Sequence, residues 1–320
     1  MRLVQRREPY PLGYAVALAG SLATTLAAVL LATNRLDSAL AVLAITDWGF
    51  YLRVFAVVGI VAMSGVVSYR AGLWNIGQEG QAVVGALAAL ASTDPLGALF
   101  AGFLVGLAWA LPPALLRAFL GVNEAVTTFL LTFVAVYTAR YFIEGPLRDP
   151  AKRGFVASVE APHLGLAAAV GALAVVAIGV LVLYKTRLGL YLRLLASGEE
   201  VVRYAGALPT VYILLGLALS GALAGLGGAV EISSREAGRY MTLQQVSTGF
   251  GLYGISAAWL GGLSPLGALA ASAYVAWLYQ VGVNLKVLGL PALVANALVG
   301  SAMAWGLAGY VLYKYRVVWR

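Results

Sequence analysis

The chain of 320 residues contains no cysteine and a single histidine, His163. Without a thiol there is no disulfide, no thiolate nucleophile and no cysteine-ligated metal, and one imidazole cannot build a histidine zinc site. The phosphate-binding pattern GxxxxGK[ST] is also absent, so the chain has no such loop to cradle ATP phosphates. We therefore predict no catalytic residue, no metal and no cofactor bound by this chain, and we interpret His163 as a loop residue at the start of an apolar segment.

Charge is scarce as well. Only 11% of the residues are charged while 62% are hydrophobic, and the mean hydropathy is +0.89. A soluble domain carries roughly a quarter of charged residues, whereas about 20 consecutive apolar residues cross a hydrocarbon core. The sequence therefore predicts an all-α, polytopic transmembrane bundle of ten spans, give or take one, in a single membrane domain over 1–320. The predicted spans are 12–33, 54–69, 81–93, 96–116, 125–142, 164–184, 205–230, two within 241–285, and 287–313.

The net charge of +8 would suit a nucleic-acid partner, but the basic residues lie at the ends of apolar segments rather than on a soluble face. Ten spans with residues 1–10 in the cytoplasm also place the C-terminus there. This orientation leaves most Lys and Arg residues on the cytoplasmic side, as the positive-inside rule requires. The first apolar segment lacks a small-residue cleavage site, so we expect a retained span.

Two polar connections are longer than the others. Segment 143–162 contains three prolines and mixed charges, and we predict an irregular loop outside the membrane. Segment 185–206 combines leucines with charged residues, which predicts a short amphipathic helix at the cytoplasmic face. Such a helix anchors at the interface or docks a partner.

A short string occurs twice. Pro-Leu-Gly-Ala-Leu stands at 95–99 and again at 265–269, at the start of the fourth and ninth predicted spans. A separation of five spans is typical of an inverted 5+5 repeat with the pathway at the repeat interface. Coincidence stays open, because Leu, Gly and Ala are common here. The small residues of 220–229 favour close helix packing.

A polar, glycine-rich insert interrupts the apolar sequence at 72–81. A bilayer offers it no hydrogen bonds, so it must lie at an interface, in a cavity or against neighbouring helices. It is either a helix start, with Asn75 as the cap and Glu79 in the first turn, or a broken span whose polar groups face a solute path. In 121–128, Asn123 is in the same way expected to cap a helix that begins near Glu124. The late amides at 280, 284 and 296 are expected to bond one another or nearby backbone.

Six strings in this order carry a family resemblance: 75–81, 121–124, 145–150, 186–193 followed by 203–206, 220–231 and 249–269. Together they resemble the permease subunits of nucleoside-type ABC importers, in the larger group that includes simple-sugar and branched-chain amino-acid permeases. The similarity covers roughly 65–301. Two positions depart from it. Thr132 stands where the family usually has Asn, which affects the solute, and 197–200 read Ser-Gly-Glu-Glu where it usually has Gly-Glu-Asn-Pro, which alters the docking loop.

The resemblance implies a multi-pass permease of the plasma (inner) membrane, not an enzyme by itself, that translocates a nucleoside or related small polar solute. It implies a separate ATPase that carries ATP and Mg, a second permease chain (a homologue or a copy of this one) and an extracytoplasmic binding protein, with membrane lipid around the bundle and no nucleic-acid polymer. The solute-path candidates are Trp74, Asn75, Gln78, Glu79, Gln81, Thr132 and Tyr253. The residues expected in the ATPase-coupling loop are Arg187, Gly189, Arg193, Gly198, Glu200 and Gly206.

Three alternatives stay open. One is an ABC permease for a simple, ribose-like sugar. Another is an ion-coupled secondary carrier that works alone, although no span carries a row of ionisable residues suited to a proton relay. The third is a membrane scaffold without transport.

Overall fold

Helices dominate the computed structural model, which describes residues 2–5, 12–33, 35–236, 238–291 and 293–318. The helices, in chain order, are α1 (Leu12–Thr33), α2 (Leu36–Leu43), α3 (Trp48–Arg70), α4 (Gln78–Leu90), α5 (Pro95–Leu120), α6 (Glu124–Glu144), α7 (Leu166–Leu183), α8 (Arg187–Leu195), α9 (Glu199–Tyr204), α10 (Pro209–Ser233), α11 (Phe250–Leu260), α12 (Pro265–Val287) and α13 (Leu293–Lys314). Two short strands, β1 (Arg2–Gln5) and β2 (Tyr315–Val318), pair antiparallel with Arg2 opposite Val318. The predicted α-helical class is confirmed.

Eight helices in the described part of the chain are long and apolar enough to cross a membrane: α1, α3, α5, α6, α7, α10, α12 and α13. The two remaining predicted spans correspond to α4, with 13 residues, and α11, with 11 residues. At 1.5 Å per residue these helices are only about 20 Å and about 16 Å long, against a hydrocarbon core of about 30 Å. The described part of the chain therefore contains eight helices of full spanning length, and the count of ten spans and the inverted repeat stay predictions.

The chain divides into two compact units, Met1–Tyr51 with Ser256–Arg320, and Leu52–Ile255. In the first unit α1 packs on α13, where small residues bring the backbones together. A Cβ on Gly13 would lie 2.8 Å from the backbone nitrogen of Tyr313, and one on Gly309 would lie 2.6 Å from the Cβ of Ala17. Residues 1 and 6–10 of the expected cytoplasmic N-terminus lie outside the described residues.

Of the late amides in this first unit, Asn284 bonds backbone as expected, whereas Gln280 bonds a side-chain hydroxyl and its amide oxygen has no partner among the described residues. Asn284 donates to the carbonyl of Val42 at 2.9 Å and accepts from the Thr46 hydroxyl. Gln280 donates to the same hydroxyl at 3.0 Å. These side chains tie α12 to the last turn of α2 and to the non-helical chain that follows it.

In the second unit α10 forms the centre, packed against α5 and α4. Nearly all of its residues from Gly216 to Ser233 are buried, as expected for a helix that is apolar on every face. Glycine makes the contact possible. A Cβ on Gly225 would lie 2.7 Å from the Cα of Gly106, and a Cβ on Gly102 would lie 2.5 Å from the Cβ of Ala229. The predicted small-residue packing of 220–229 is confirmed.

The repeated Pro-Leu-Gly-Ala-Leu string has the same local structure at both positions. Each copy begins a long helix directly after a short one. Asp94 caps α5 by accepting from the backbone nitrogen of Gly97, and Ser264 caps α12 by accepting from that of Gly267. Pro95 and Pro265, the first residues of these two helices, have no backbone N–H and therefore need no acceptor.

Candidate functional site

The chain leaves the helical conformation between α3 and α4, and α4 begins at Gln78 with Glu79 in its first turn, as the helix-start interpretation of the polar insert predicted. That the insert faces a solute path stays a prediction. Residues 71–77 are non-helical, and Gly72 adopts a φ of 76° that favours glycine. The expectation that Asn75 caps the helix is wrong, because Gly77 is the N-cap residue of α4. Asn75 instead accepts from the backbone nitrogen of Gly77 at 3.2 Å, which stabilises the turn just before the helix.

The first turns of α6 hold the insert in place. The backbone nitrogen of Trp74 donates to the Glu124 carboxylate at 3.0 Å, and that of Ile76 donates to the Thr128 hydroxyl at 3.2 Å. Thr132 lies one turn further along, where a Cβ on Gly80 would be 2.7 Å from its Cα. Asn123 caps α6 as predicted and accepts from the nitrogen of Ala125. The ring of Trp74 is half exposed.

Two amides of the insert bond each other in a fully buried network. The Asn75 side chain donates to Gln81 at 2.9 Å, and Gln81 donates back at 3.1 Å. Asn75 also donates to the Ser220 hydroxyl at 2.9 Å. Ser220 in turn bonds Ser64 on α3, with 2.9 Å between the hydroxyl oxygens. These groups join the insert to α3 and α10, and they satisfy one another.

Gln78 differs from its neighbours in the insert. It is the first residue of α4 and is fully buried. Neither its amide nitrogen nor its amide oxygen has a hydrogen-bond partner in the described part of the chain. A buried polar group without a partner costs about 1–3 kcal/mol. Gln78 therefore retains unused hydrogen-bonding capacity at the buried start of a helix.

Glu79 connects the first turn of α4 to the first turn of α11. Its carboxylate accepts from the backbone nitrogens of Gly249 at 2.8 Å and Gly251 at 2.7 Å, and from the hydroxyl of Ser247. A negative charge is favourable at a helix N-terminus, and bonds to an ionised acceptor are strong. Glu79 thus acts as the cap of a helix that follows it by about 170 residues. Tyr253 lies in the same turn, buried, with its ring centroid 5.6 Å from that of Phe250.

A cavity of about 20 Å³ lies beside Glu79, which is room for about one water molecule. Glu231, from the last turn of α10, also lines it and pairs with Arg53 and, at 2.7 Å, with Arg235. Near this cavity the carboxylates of Glu79 and Glu231 therefore equal in number the guanidinium groups of Arg53 and Arg235.

Segment 185–206 folds into two short helices, α8 and α9, rather than the single helix predicted. Gly198, with a φ of 128°, separates them. Gly189 lies so close to the end of α7 that a Cβ would meet the backbone of Leu183 and Tyr184. Arg193 donates to the carbonyl of Tyr184 at 2.9 Å. Gly189 and Arg193, two of the six predicted coupling residues, therefore hold α8 against the end of α7.

Tyr184 itself is buried at the end of α7, and its hydroxyl donates to the carbonyl of Val66 at 2.9 Å. Burial raises the pKa of Tyr184 to about 12, against the opposing effect of Arg70 and Arg193 nearby. The phenol therefore stays neutral in ordinary buffers, and it ties the start of the 185–206 segment to α3.

The outer face of α8 and α9 is open and mixed in character. Tyr204 is 90% exposed, and Leu190 is 44% exposed. Arg187 is exposed at the start of α8, and the exposed Glu200 pairs with Arg203 at 2.6 Å. Gly206 ends the segment with a φ of 80°. Exposed aromatic and charged groups of this kind are typical of a protein-binding surface.

At the opposite end of the second unit, two loops form one cap. Loop 145–165 meets loop 234–245 through the pairing of Ala157 with Thr242, and Ser158 donates from its backbone nitrogen to Met241 at 3.0 Å. His163 is an exposed loop residue before α7, as predicted.

Comparison with known families identifies the architecture. Residues 48–303 match the model of the permease component of branched-chain amino acid transport systems. The chain belongs to this permease family. The match includes the insert, both short helices α4 and α11, and the α8–α9 segment.

Individual relatives support the same conclusion. The permease is 34% identical over 282 residues to the glucose ABC transporter permease protein of Haloferax volcanii, covering 78% of this chain and 72% of that protein. It is 29% identical over 272 residues to the guanosine ABC transporter permease protein of Bacillus subtilis, covering 77% of this chain and 76% of that one. The nucleoside ABC transporter permease protein of Lactococcus lactis is 29% identical over 248 residues, which cover 67% of this chain and 66% of the relative. No solved structure matches the permease.

The structure brings together the predicted insert residues and Thr132, and places Tyr253 in the helix whose first turn Glu79 caps. Several important groups were not singled out from the sequence. They are Ser64 and Ser220 in the amide network, Ser247 on Glu79, the ion pairs of Arg53, and Arg117. The signal for the first two is a hydroxyl in the middle of an apolar span, where a polar partner is needed.

Proposed function

We propose that this permease is the membrane-spanning subunit of an ATP-driven importer for a nucleoside or a related small polar solute. The named specificities of its relatives support this, since glucose, guanosine and other nucleosides share a polyhydroxylated sugar ring. ATP hydrolysis takes place on a separate ATPase. An extracytoplasmic binding protein delivers the solute to the cap of loops 145–165 and 234–245, and a second permease chain completes the pathway.

The unpartnered amide of Gln78 is the observation that carries the solute assignment. Asn75, Glu79 and Gln81 already bond protein groups, so engaging them requires breaking these contacts. Gln78 has a free donor and a free acceptor, which is what hydroxyl groups of a sugar or edges of a base require. The half-exposed ring of Trp74, at the same insert, offers a stacking face. Thr132 and Tyr253 stay candidates for the same path.

The α8–α9 surface takes the ATPase, with both chain termini on the same, cytoplasmic side of the plasma membrane. Gly189 and Arg193 hold α8 against the end of α7, while the exposed Tyr204 lies at the centre of the contact with the ATPase. Tyr204→Ser should weaken binding of the ATPase subunit about tenfold or more, as expected for a buried interface aromatic. Tyr141→Ser is the matched control. Tyr141 is 67% exposed and lies near the C-terminal end of α6, away from α9, so this change should leave binding of the ATPase unchanged.

The test of the solute assignment is uptake into proteoliposomes that contain the permease, its ATPase and the binding protein. Gln78→Leu removes the amide but keeps the volume, so thermal stability should be unchanged or higher, while uptake falls at least tenfold. The control is Gln280→Leu, a buried glutamine outside the insert, which should retain uptake. Normal uptake by Gln78→Leu would contradict the assignment.

An ion-coupled carrier is the second candidate from another class. The same liposomes without the ATPase distinguish the two. Uptake driven by an ion gradient alone would overturn the importer proposal, and we expect none.

A further inference from the structure

Three charged side chains link the surface of α9 to the polar insert. Arg117, near the end of α5, lies between two carboxylates. Its Nε is 3.2 Å from Glu124 at the start of α6, and its Nη2 is 2.9 Å from Glu199 at the start of α9. A guanidinium group can bind two anions at once because its donors diverge in a rigid plane. The position of α9 is therefore coupled to the position of Glu124.

Glu124 passes this contact to the insert. One of its oxygens faces Arg117, and the other accepts from the backbone nitrogen of Trp74 at 3.0 Å. The carboxylate is buried, so water does not substitute freely for either partner. A shift of Arg117 therefore moves the carboxylate to which the backbone nitrogen of Trp74 donates.

An apolar contact accompanies the ionic one. Ala71 and Leu73, at the start of the insert, share a buried cluster with Leu192, Leu195 and Val202 of the two short helices. Gly72, between them, comes so near to α8 that a Cβ would lie 3.1 Å from the Cα of Ala196. The insert thus rests directly on the segment that carries the docking surface.

The far end of the insert is anchored as well. Glu79 holds the first turn of α11 through Gly249 and Gly251. A displacement of the insert at Trp74 consequently reaches the buried first turns of α4 and α11, which lie near Gln78. The described contacts form a continuous series from the surface of α9 to the candidate solute contact.

We propose that Arg117 and Glu124 are positioning residues that relay movement of α9 to the polar insert. The relay consists of Glu199, Arg117, Glu124 and the backbone nitrogen of Trp74, acting in series. It rests on the proposed function in one respect, namely that α8 and α9 receive the ATPase. It adds which side chains carry the movement of the docked helices to the pathway.

The experiment compares Glu199→Gln, Glu124→Gln and the double variant in the reconstituted importer. Each single change breaks one link, so the amount of solute transported per ATP hydrolysed should fall about tenfold, which corresponds to about 1.4 kcal/mol of lost coupling. Because the links act in series, the double variant should be no worse than the more affected single variant. Arg117→Gln should behave in the same way.

Arg140→Gln is the control. Arg140 is half exposed, and its Nε is 4.0 Å from Glu144 on its own helix, so transport per ATP should not change. Binding of the ATPase and thermal stability are measured in parallel. If the native permease does not bind the ATPase, the proposed function fails. If the ATPase binds and the variants transport normally, or if the two single losses multiply in the double variant, the relay is wrong.

Discussion

The bond between Glu79 and the start of α11 can be tested by replacing the carboxylate with the amide of the same shape. In Glu79→Gln the oxygen that faces Ser247 and Gly249 can be retained, but the other oxygen becomes an NH₂ group. This group cannot accept from the nitrogen of Gly251, now 2.7 Å away. The variant therefore loses one bond and weakens the two that remain.

The magnitude follows from those three bonds. A hydrogen bond to a charged group contributes about 1.5–3 kcal/mol and one between neutral groups about 0.5–1.5 kcal/mol. Losing one charged bond and neutralising two costs about 4 kcal/mol, from which the easier burial of a neutral amide subtracts about 1 kcal/mol. We expect a loss of about 3 kcal/mol, so that local opening of this turn becomes roughly a hundredfold more frequent.

Two measurements check this value. Denaturant unfolding in detergent gives the change in the free energy of unfolding, and hydrogen exchange reports on the backbone of residues 247–251. Glu144→Gln is the control. Its native carboxylate is half exposed and 4.0 Å from Arg140, and such a surface pair contributes about 0–1 kcal/mol. Unchanged exchange at Gly249 and Gly251 in Glu79→Gln would refute the role of Glu79 as the cap of α11.

Three further predictions address packing and polarity. Gly228→Ala should destabilise the fold by about 2–3 kcal/mol, because its Cβ would meet the backbone of Ala82. Gly179→Ala is the control and should be neutral or slightly stabilising, because a Cβ there meets nothing within 4 Å. Thermal unfolding in detergent compares the two variants. Asn75→Ala should cost about 2–4 kcal/mol by leaving Gln81 unpaired, yet adding Gln81→Leu should restore part of it, which a double-mutant cycle measures; strictly additive losses would contradict the network. The raised pKa of the Tyr184 phenol contributes stability below pH 10, and this contribution is lost as the pH rises through the folded-state pKa of about 12. Unfolding of the native permease should therefore become easier between pH 10 and about 12. This pH-dependent contribution should be absent in Tyr184→Phe.

Features that depend on neighbouring residues could be predicted from the sequence. The long apolar segments became helices, Asn123 caps α6, and the helix that follows the polar insert begins within it, at Gln78. The family resemblance placed the same segments in the right order. Local chemistry determines these features, so a single chain is enough to find them.

Features that depend on tertiary contact could not be predicted. Asn75 was expected to cap a helix, but its amide is better satisfied by Gln81 and Ser220, the second of which is 145 residues away. Glu79 was assigned to its own helix dipole, while its carboxylate reaches Gly249 and Gly251. Nothing in the periodicity of either segment specifies such a partner. The two-helix form of 185–206 depends on the backbone of Gly198, which the apolar pattern does not reveal.

The glycine contacts among α4, α5 and α10 have a mechanical consequence. Gly85, Gly102 and Gly225 let backbone approach backbone, so at these points little side-chain volume separates α4, α5 and α10. We therefore expect the three helices to move together, so that a movement at one end of the group reaches the other end. The non-helical chain at 71–77 connects this group to α3.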